Sequence, residues 1–322
     1  MSEIQGLDRA VTPDPGVVRL ADVTVVMPAK DRETLIGRAL DSIDAQSVRP
    51  RETIVVDDGS SDDTAGIARA HGASVIRLNL SGGSGPARNL GIEAAGTRWI
   101  AFLDSDDAWD PDHLERTLAA LEDHGASFVM AASPGRSAGG VAGRIQGNSW
   151  PRDVMLTPMA LLAPGDLVCT SGTLVRRDAL ISAGLFRPLR RAQDLDMWVR
   201  VLEQGSGIAL SHPTVTYYLH GAQASNDKHL MRECFDRIVE DVSHRPWFTA
   251  KDYDRCYARV RWDDMREAQA ARGMSEFIGH VLWFARRPHT FPPLVRLLRQ
   301  RRLSRRRVRE SEVGSVVGRP VS

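Results

Sequence analysis

From Val23 onward the chain alternates between short apolar runs and stretches whose apolar residues recur every three or four positions. VTVVMP, residues 23–28, is a continuous apolar run stopped by Pro28, the form of a strand buried on both faces. ETLIGRALDSIDAQ carries apolar residues at 35, 36, 39, 40 and 43, which predicts a helix. TIVV, residues 53–56, predicts a second strand, followed by the turn DDGSSDD. Asp62 and Asp63 stand where the N-cap and first turn of a helix over TAGIARAHG would want them, with Gly72 past its end. SVIRL (74–78) reads as a strand, GPARNLGIEAAG as a short helix and RWIAFL (98–103) as the next strand. PDHLERTLAALEDHG predicts a helix with Pro111 at its start and Gly125 beyond it, and SFVMAA (127–132) closes the series.

Strands alternating with helices of this length predict an α/β fold, a Rossmann-like, mostly parallel central sheet with helices on both faces. Such sheets bind ligands outside the carboxyl ends of their strands, near a topological switch point. Lys30-Asp31, Asp57-Asp58 and Asp104-Ser105-Asp106 all fall at strand ends, so they share one rim. The third cluster poses an electrostatic problem. In IAFLDSDDAWDP, Asp104, Asp106 and Asp107 crowd the end of a buried strand, and no Lys or Arg lies between Arg98 and Arg116. Neighbouring part-buried carboxylates need a positive partner. A divalent cation would serve, because Asp104-x-Asp106 offers hard oxygen ligands suited to Mg²⁺ or Mn²⁺. A cluster capping the following helix is the alternative, and Asp107 and Asp110 read as such caps. Gly82, Gly83 and Gly85 could let backbone approach a phosphate or form a plain turn; neither a P-loop nor GxGxxG is present.

Residues 133–166 are Gly- and Pro-rich and loop-like, with one short helix late in the segment, the composition of a lid or binding loop. LVCTSGTLVRR regains strand character, DLDMWVRVLEQG (194–205) is an amphipathic helix and TVTYYLH (214–220) a strand. After about Asp227 the pattern is helical. The net charge of +1 over 322 residues gives no global case for nucleic acid. Cys169, Cys234 and Cys256 have neither disulfide-framework nor metal-ligand spacing, which fits a reducing cytoplasm. The N-terminal residues show no signal-peptide pattern, and the apolar stretch from Phe277 to Ala285 is too short to span a bilayer. The arginines from Arg286 to Arg307 interleave with Leu294, Leu297 and Leu298. That helix would either touch an anionic membrane surface peripherally, at the inner face, or pack its leucines on the rest of the protein.

Three stretches, VTVVMPAKDRETLIGRALDSIDAQ, IVVDDGSSDDTAGIA and SGGSGPARNLGIEAAGTRWIAFLDSDDAWDPDHLE, together resemble the nucleotide-binding half of family 2 glycosyltransferases with the GT-A fold. SGTLVRRDALISAGLFRPLRRAQDLDMWVRV resembles the acceptor-side segment of the same family, and the resemblance runs from about Val23 to about Ser225. It implies a GT-A domain over 23–225, divided into halves 23–132 and 133–225. An extension (1–22) precedes it, and a helical basic region (226–310) and a tail (311–322) follow. It further implies an inverting glycosyltransferase that moves a sugar from a UDP- or dTDP-linked donor to a hydroxyl acceptor, a saccharide, a glycolipid or a small natural product. By position, Pro28, Ala29, Lys30, Asp31 and Asp57 would embrace base and ribose, with Arg88, Asp104 and Ser105 also on the nucleotide. Asp106 with Asp104, and His220, would hold Mn²⁺ or Mg²⁺. Asp194 would be the general base, with Asp196 as the alternative. Two departures stand out: an aromatic is missing from Pro28-Ala29-Lys30-Asp31, where relatives commonly carry PTYN or PVYN, and Gln193-Asp194 replaces a common Glu-Asp. A metal-dependent phosphatase of the DxD type and a catalytically silent sugar-nucleotide binding module are the competing readings.

Overall fold

The computed structural model describes residues 20–138, 146–147, 152–163, 168–218, 228–270 and 274–290. In chain order the strands are β1 (Leu20–Ala29), β2 (Arg49–Asp57), β3 (Ser74–Arg77), β4 (Trp99–Phe102), β5 (Ala108–Trp109) and β6 (Phe128–Ala132). They continue as β7 (Gly135–Ala138), β8 (Gln146–Gly147), β9 (Val154–Leu156), β10 (Thr173–Arg176), β11 (Ser206–Ala209) and β12 (Val215–Tyr218). The helices are α1 (Ile36–Asp44), α2 (Thr64–Ala70), α3 (Ser84–Ala94), α4 (His113–His124) and α5 (Pro158–Leu162). After them come α6 (Arg177–Ser182), α7 (Gln193–Val201), α8 (Lys228–Ser243), α9 (Ala250–Ala270) and α10 (Met274–Ala285).

Among the described residues the main sheet has eight strands in the order β3-β2-β1-β4-β10-β6-β11-β9. β1 pairs in parallel with β2 and with β4, and β2 with β3. β10 enters antiparallel between β4 and β6, and β6 and β11 resume the parallel direction. The order reverses at β1, so the ends of β1, β2 and β4 frame the crevice in which such sheets bind ligands. The expected α/β architecture, with helices on both faces and a helical C-terminal region, is therefore present.

The continuous apolar runs have a simple cause: each strand feeds both faces. In β4 and the residue after it, Ile100 and Phe102 join the core beneath α3, α6 and α7, while Ala101 and Leu103 join the core beneath α1, α2 and α4. α8 extends the first core through Ile238, Val239 and Val242.

Three differences from the sequence reading bear on the site. β1 starts at Leu20, three residues before the expected domain edge. The segment read as loop supplies β7 and β8, and β12 joins them with β5 in a second sheet ordered β5-β12-β7-β8. Strands of two to four residues rich in Gly and Ser have no alternation to reveal them. Asp107 and Asp110 do not cap α4. Asp112 precedes that helix, while Asp110 forms a two-pronged ion pair with Arg136 on β7 and Asp107 is buried.

Candidate active site

Beyond β4 the chain makes a turn closed by the Asp107 N–H on the Asp104 carbonyl at 3.0 Å, in which Asp104 and Asp106 are half-buried while Ser105 and Asp107 are buried. The turn leaves the Asp104 and Asp106 side chains half-exposed and takes those of Ser105 and Asp107 inward. Each of the crowded charges is met differently. Asp104 Oδ1 lies 2.5 Å from Nη2 of Arg88, a buried residue of α3. The positive partner sought at this strand end is thus an arginine sixteen residues upstream, and a cation is not required to explain Asp104. Asp107 accepts hydrogen bonds from the Ser171 hydroxyl and the Tyr218 N–H. Burial pushes its pKa up to about 8, with Asp104 and then Asp106 adding to the rise and both hydrogen bonds opposing it. Near neutrality the group therefore holds a proton for much of the time, which relieves the repulsion. Asp106 keeps its backbone fixed by Arg38 Nη2, which reaches its carbonyl at 2.8 Å while the guanidinium stacks 3.5 Å from the Tyr218 ring centroid.

At the end of β1, Pro28 and Ala29 are buried and Lys30 and Asp31 exposed. Asp31 has a φ of 51° and accepts from the N–H and hydroxyl of Ser61, which fixes the turn against the loop after β2. Asp57 is fully buried. Its Oδ1 accepts from Ser60 N–H, and its Oδ2 lies 3.3 Å from Arg77 Nε. Arg77 also donates to the Ser60 carbonyl, so it covers Asp57 from the solvent side. Asp58 takes the Ser81 hydroxyl and the N–H groups of Gly82 and Gly83. Those glycines thus form a turn fastened by a carboxylate, with their N–H groups already engaged.

The acceptor side arrives through a three-residue 3-10 turn, Thr170–Gly172, ahead of β10. Thr170 donates to Asp194 Oδ2 at 3.1 Å, and the neighbouring Ser171 hydroxyl both donates to Asp107 and accepts from Asp104 N–H at 3.2 Å. Asp194 opens α7, half-buried, with Oδ1 on the Leu195 N–H. Asp196, two residues further along α7 and 1% exposed, is clamped by Arg187 and Arg200, and Arg187 continues to Asp241 on α8. Its oxygens are spent on packing α7, so of the two candidate bases Asp194 is the one at the crevice. Gln193 lies over the start of α3, where its Oε1 would sit 2.6 Å from a Cβ added to Gly85. Asn89, beside Arg88, exchanges two hydrogen bonds with the Phe186 backbone and locks the two halves together. Cys169, next to the turn, is half-buried, and desolvation of its thiol, with Asp107 and Asp104 adding to the effect, raises its pKa, so it stays protonated.

His220 lies outside the described residues. Among those residues no group of three or more His, Cys, Asp or Glu side chains is arranged to hold a metal ion. Sequence reasoning missed Arg38 and Arg77, and placed Thr170 and Ser171 where an acceptor could pass without giving their hydroxyls a role. These two stood in the LVCTSGTLVRR stretch, and their hydroxyls next to a strand start were the available signal.

A family model described as glycosyl transferase family 2 matches residues 24–184, half of the chain. The chain belongs to glycosyl transferase family 2. Among curated relatives, the succinoglycan biosynthesis protein ExoO of Rhizobium meliloti is 40% identical over 119 residues, covering 36% of this chain and 34% of ExoO. ExoU of the same organism is 30% identical over 215 residues, covering 59% of this chain and 60% of ExoU. The matches thus span about a third to three-fifths of these relatives' length. The solved structure of Staphylococcus aureus TarS residues 1–349 in complex with UDP-GlcNAc superposes with a TM-score of 0.61 at 20% identity, covering 74% of this chain and 70% of that one. At that identity the likeness speaks for the fold, and the fold is the GT-A architecture expected from the motifs.

Proposed function

We propose that this chain transfers a sugar from a nucleoside-diphosphate sugar to an acceptor hydroxyl, with inversion at the anomeric carbon. The carrying observation is the Thr170–Ser171 pair: one short turn binds Asp194 on one side and the Asp104–Asp107 loop on the other. Donor-side and acceptor-side carboxylates are thereby held by adjacent hydroxyls, the arrangement a direct displacement needs.

The donor diphosphate lies along the rim formed by β1, β2 and β4, with Lys30, Asp31, Arg77 and Arg88 as its polar neighbours and Asp57 behind Arg77. Asp194 accepts the proton of the acceptor hydroxyl as its oxygen attacks the anomeric carbon from the face opposite the nucleotide, and the nucleoside diphosphate leaves. Asp104 and Asp106 suit Mg²⁺ or Mn²⁺, which commonly takes one or two carboxylates and completes its shell with phosphate oxygens and water. A two-carboxylate donor set is compatible with that habit even though no closed protein cage is formed among the described residues. When bound, the ion neutralises charge building on the departing diphosphate. A uridine or thymidine donor is the version we favour, supported by family membership and by the UDP-GlcNAc bound to the similarly folded TarS.

A thermal-shift panel of UDP, dTDP, GDP and CDP, each with and without Mn²⁺, on wild type and Asp106→Ala, tests the reading. Ligands that bind the native state raise its melting temperature by mass action. The expected result is a shift with UDP or dTDP that depends on Mn²⁺ and is lost in the variant. No shift with any diphosphate would overturn it.

A further inference from the structure

α10 is packed on one side and open on another. Phe284 is buried in a small core with Ala258, supported by Trp262, Met265 and Trp283. Met274, Ile278, Val281 and Leu282 are instead 65%, 49%, 43% and 47% exposed. Their spacing of i, i+4, i+7 and i+8, continued by exposed Ala285, makes one unbroken apolar stripe. Isolated exposed apolar residues are ordinary, whereas a contiguous stripe calls for a partner. Among the described residues, four of the nine large exposed apolar side chains fall on this one helix.

Charge says which partner. Between Glu276 and Glu310 the sequence carries ten arginines and no Asp or Glu, although the whole chain has a net charge of only +1. Arg286 is exposed at the end of the stripe, and Arg287 pairs with Asp254 at 2.6 Å. Among the described residues no helix is long and apolar enough to cross a membrane. An apolar stripe bordered by segregated positive charge fits the boundary between headgroups and acyl chains of an anionic bilayer, where apolar burial and electrostatic attraction add. We propose that the open stripe of α10 seats this protein on an anionic lipid surface, with the arginine-rich sequence after it supplying the attraction. A second copy of the chain would bring like charge against like charge, so it is the poorer occupant.

The test is co-sedimentation of the full chain with phosphatidylcholine vesicles and with phosphatidylcholine–phosphatidylglycerol vesicles, at low and high salt. It needs neither donor nor acceptor, so it stands or falls independently of the transferase reading. Wild type should bind the anionic vesicles, weaken as salt rises, and bind the neutral ones poorly. Ile278→Ser combined with Leu282→Ser, both exposed and tolerable to the fold, should weaken binding about tenfold or more. Arg301→Gln with Arg302→Gln should reduce binding to anionic vesicles while leaving the weak neutral binding unchanged. Binding to neither vesicle would overturn the proposal, as would undiminished binding by the serine variant. A salt-insensitive dimer abolished by the serine variant, without vesicle binding, would also overturn it and assign the stripe to a second copy.

Discussion

Arg88 Nη2 meets Asp104 Oδ1 at 2.5 Å, and the guanidinium also stands 5.5 Å from the Phe186 ring centroid. This buried arginine gives the Asp104 side chain a positive partner at the end of a buried strand, next to two more acidic side chains. Arg88→Met keeps much of the stem but removes the charge, and should cost about 2–3 kcal/mol of stability, since the side chain of Asp104 is partly solvated. Arg88→Lys should recover only part of this, because an ammonium cannot reproduce the planar fork. Denaturant midpoints of the three proteins check both statements; equal stability of wild type and Arg88→Met would refute the role.

Ser171 is asked to do two things at once, donating to Asp107 and receiving from Asp104 N–H. Ser171→Ala should therefore leave a buried acid without its hydroxyl partner, at about 1–3 kcal/mol. The loop carrying Asp104 and Asp106 also loses an anchor, so the Mn²⁺-dependent shift by the preferred diphosphate should shrink more than overall stability does. Isothermal titration of that diphosphate, with and without Mn²⁺, separates the two effects. An unchanged affinity would show that the turn does not position the loop.

Asp194 and Asp196 look alike in AQDLDMW but differ in surroundings, and their asparagine variants should part company. Asp194→Asn should keep its stability and its nucleotide binding while transfer falls roughly a hundredfold to ten-thousandfold. Asp196→Asn, which empties a carboxylate held by Arg187 and Arg200, should lose about 2–4 kcal/mol of stability. Paired melting curves and turnover measurements decide. The reverse pattern would exchange the two roles.

The legible parts of this chain were those in which one periodicity governs several residues. β4 and α4 could be read because a buried strand must be apolar on both faces and an amphipathic helix must repeat. The rim followed from them, since carboxylates after apolar runs fall at strand ends. The second sheet was illegible for the opposite reason: β5, β7 and β8 are too short to show a period, and β5 and β7 are brought together by pairing with β12, about 80 to 106 residues further on. Asp107 and Asp110 show the same limit within the site. Local sequence suggested helix caps, whereas their partners, Ser171 and Arg136, are 64 and 26 residues away. The counter-charge for Asp104 was within reach, because Arg88 had been placed near the nucleotide, but only the packing of α3 over β1 and β2 brings it to the end of the neighbouring strand β4.

His113 supplies the pH dependence. It is fully buried, with Nδ1 2.7 Å from the Thr214 hydroxyl and its ring stacked on Trp109, whose indole N–H reaches the Ser171 carbonyl. Burial, opposed in part by Asp110, lowers its pKa from 6.5 to about 3. The unfolded chain therefore takes up a proton at this site from about pH 6.5 downward, while the native state does not until about pH 3. The stability tied to the neutral ring is complete above pH 6.5 and is lost as pH falls, by about 2 kcal/mol at pH 5. His113→Gln cannot titrate. It should be less stable than wild type at pH 7.5, through the lost stacking, and the gap should narrow steadily toward pH 5. Denaturant midpoints of both proteins across that range test this, and because the native ring stays neutral throughout it, the diphosphate-induced shift of wild type should not weaken through His113. Two parallel stability profiles would mean that His113 takes up its proton in the native state over the same pH range as in the unfolded chain.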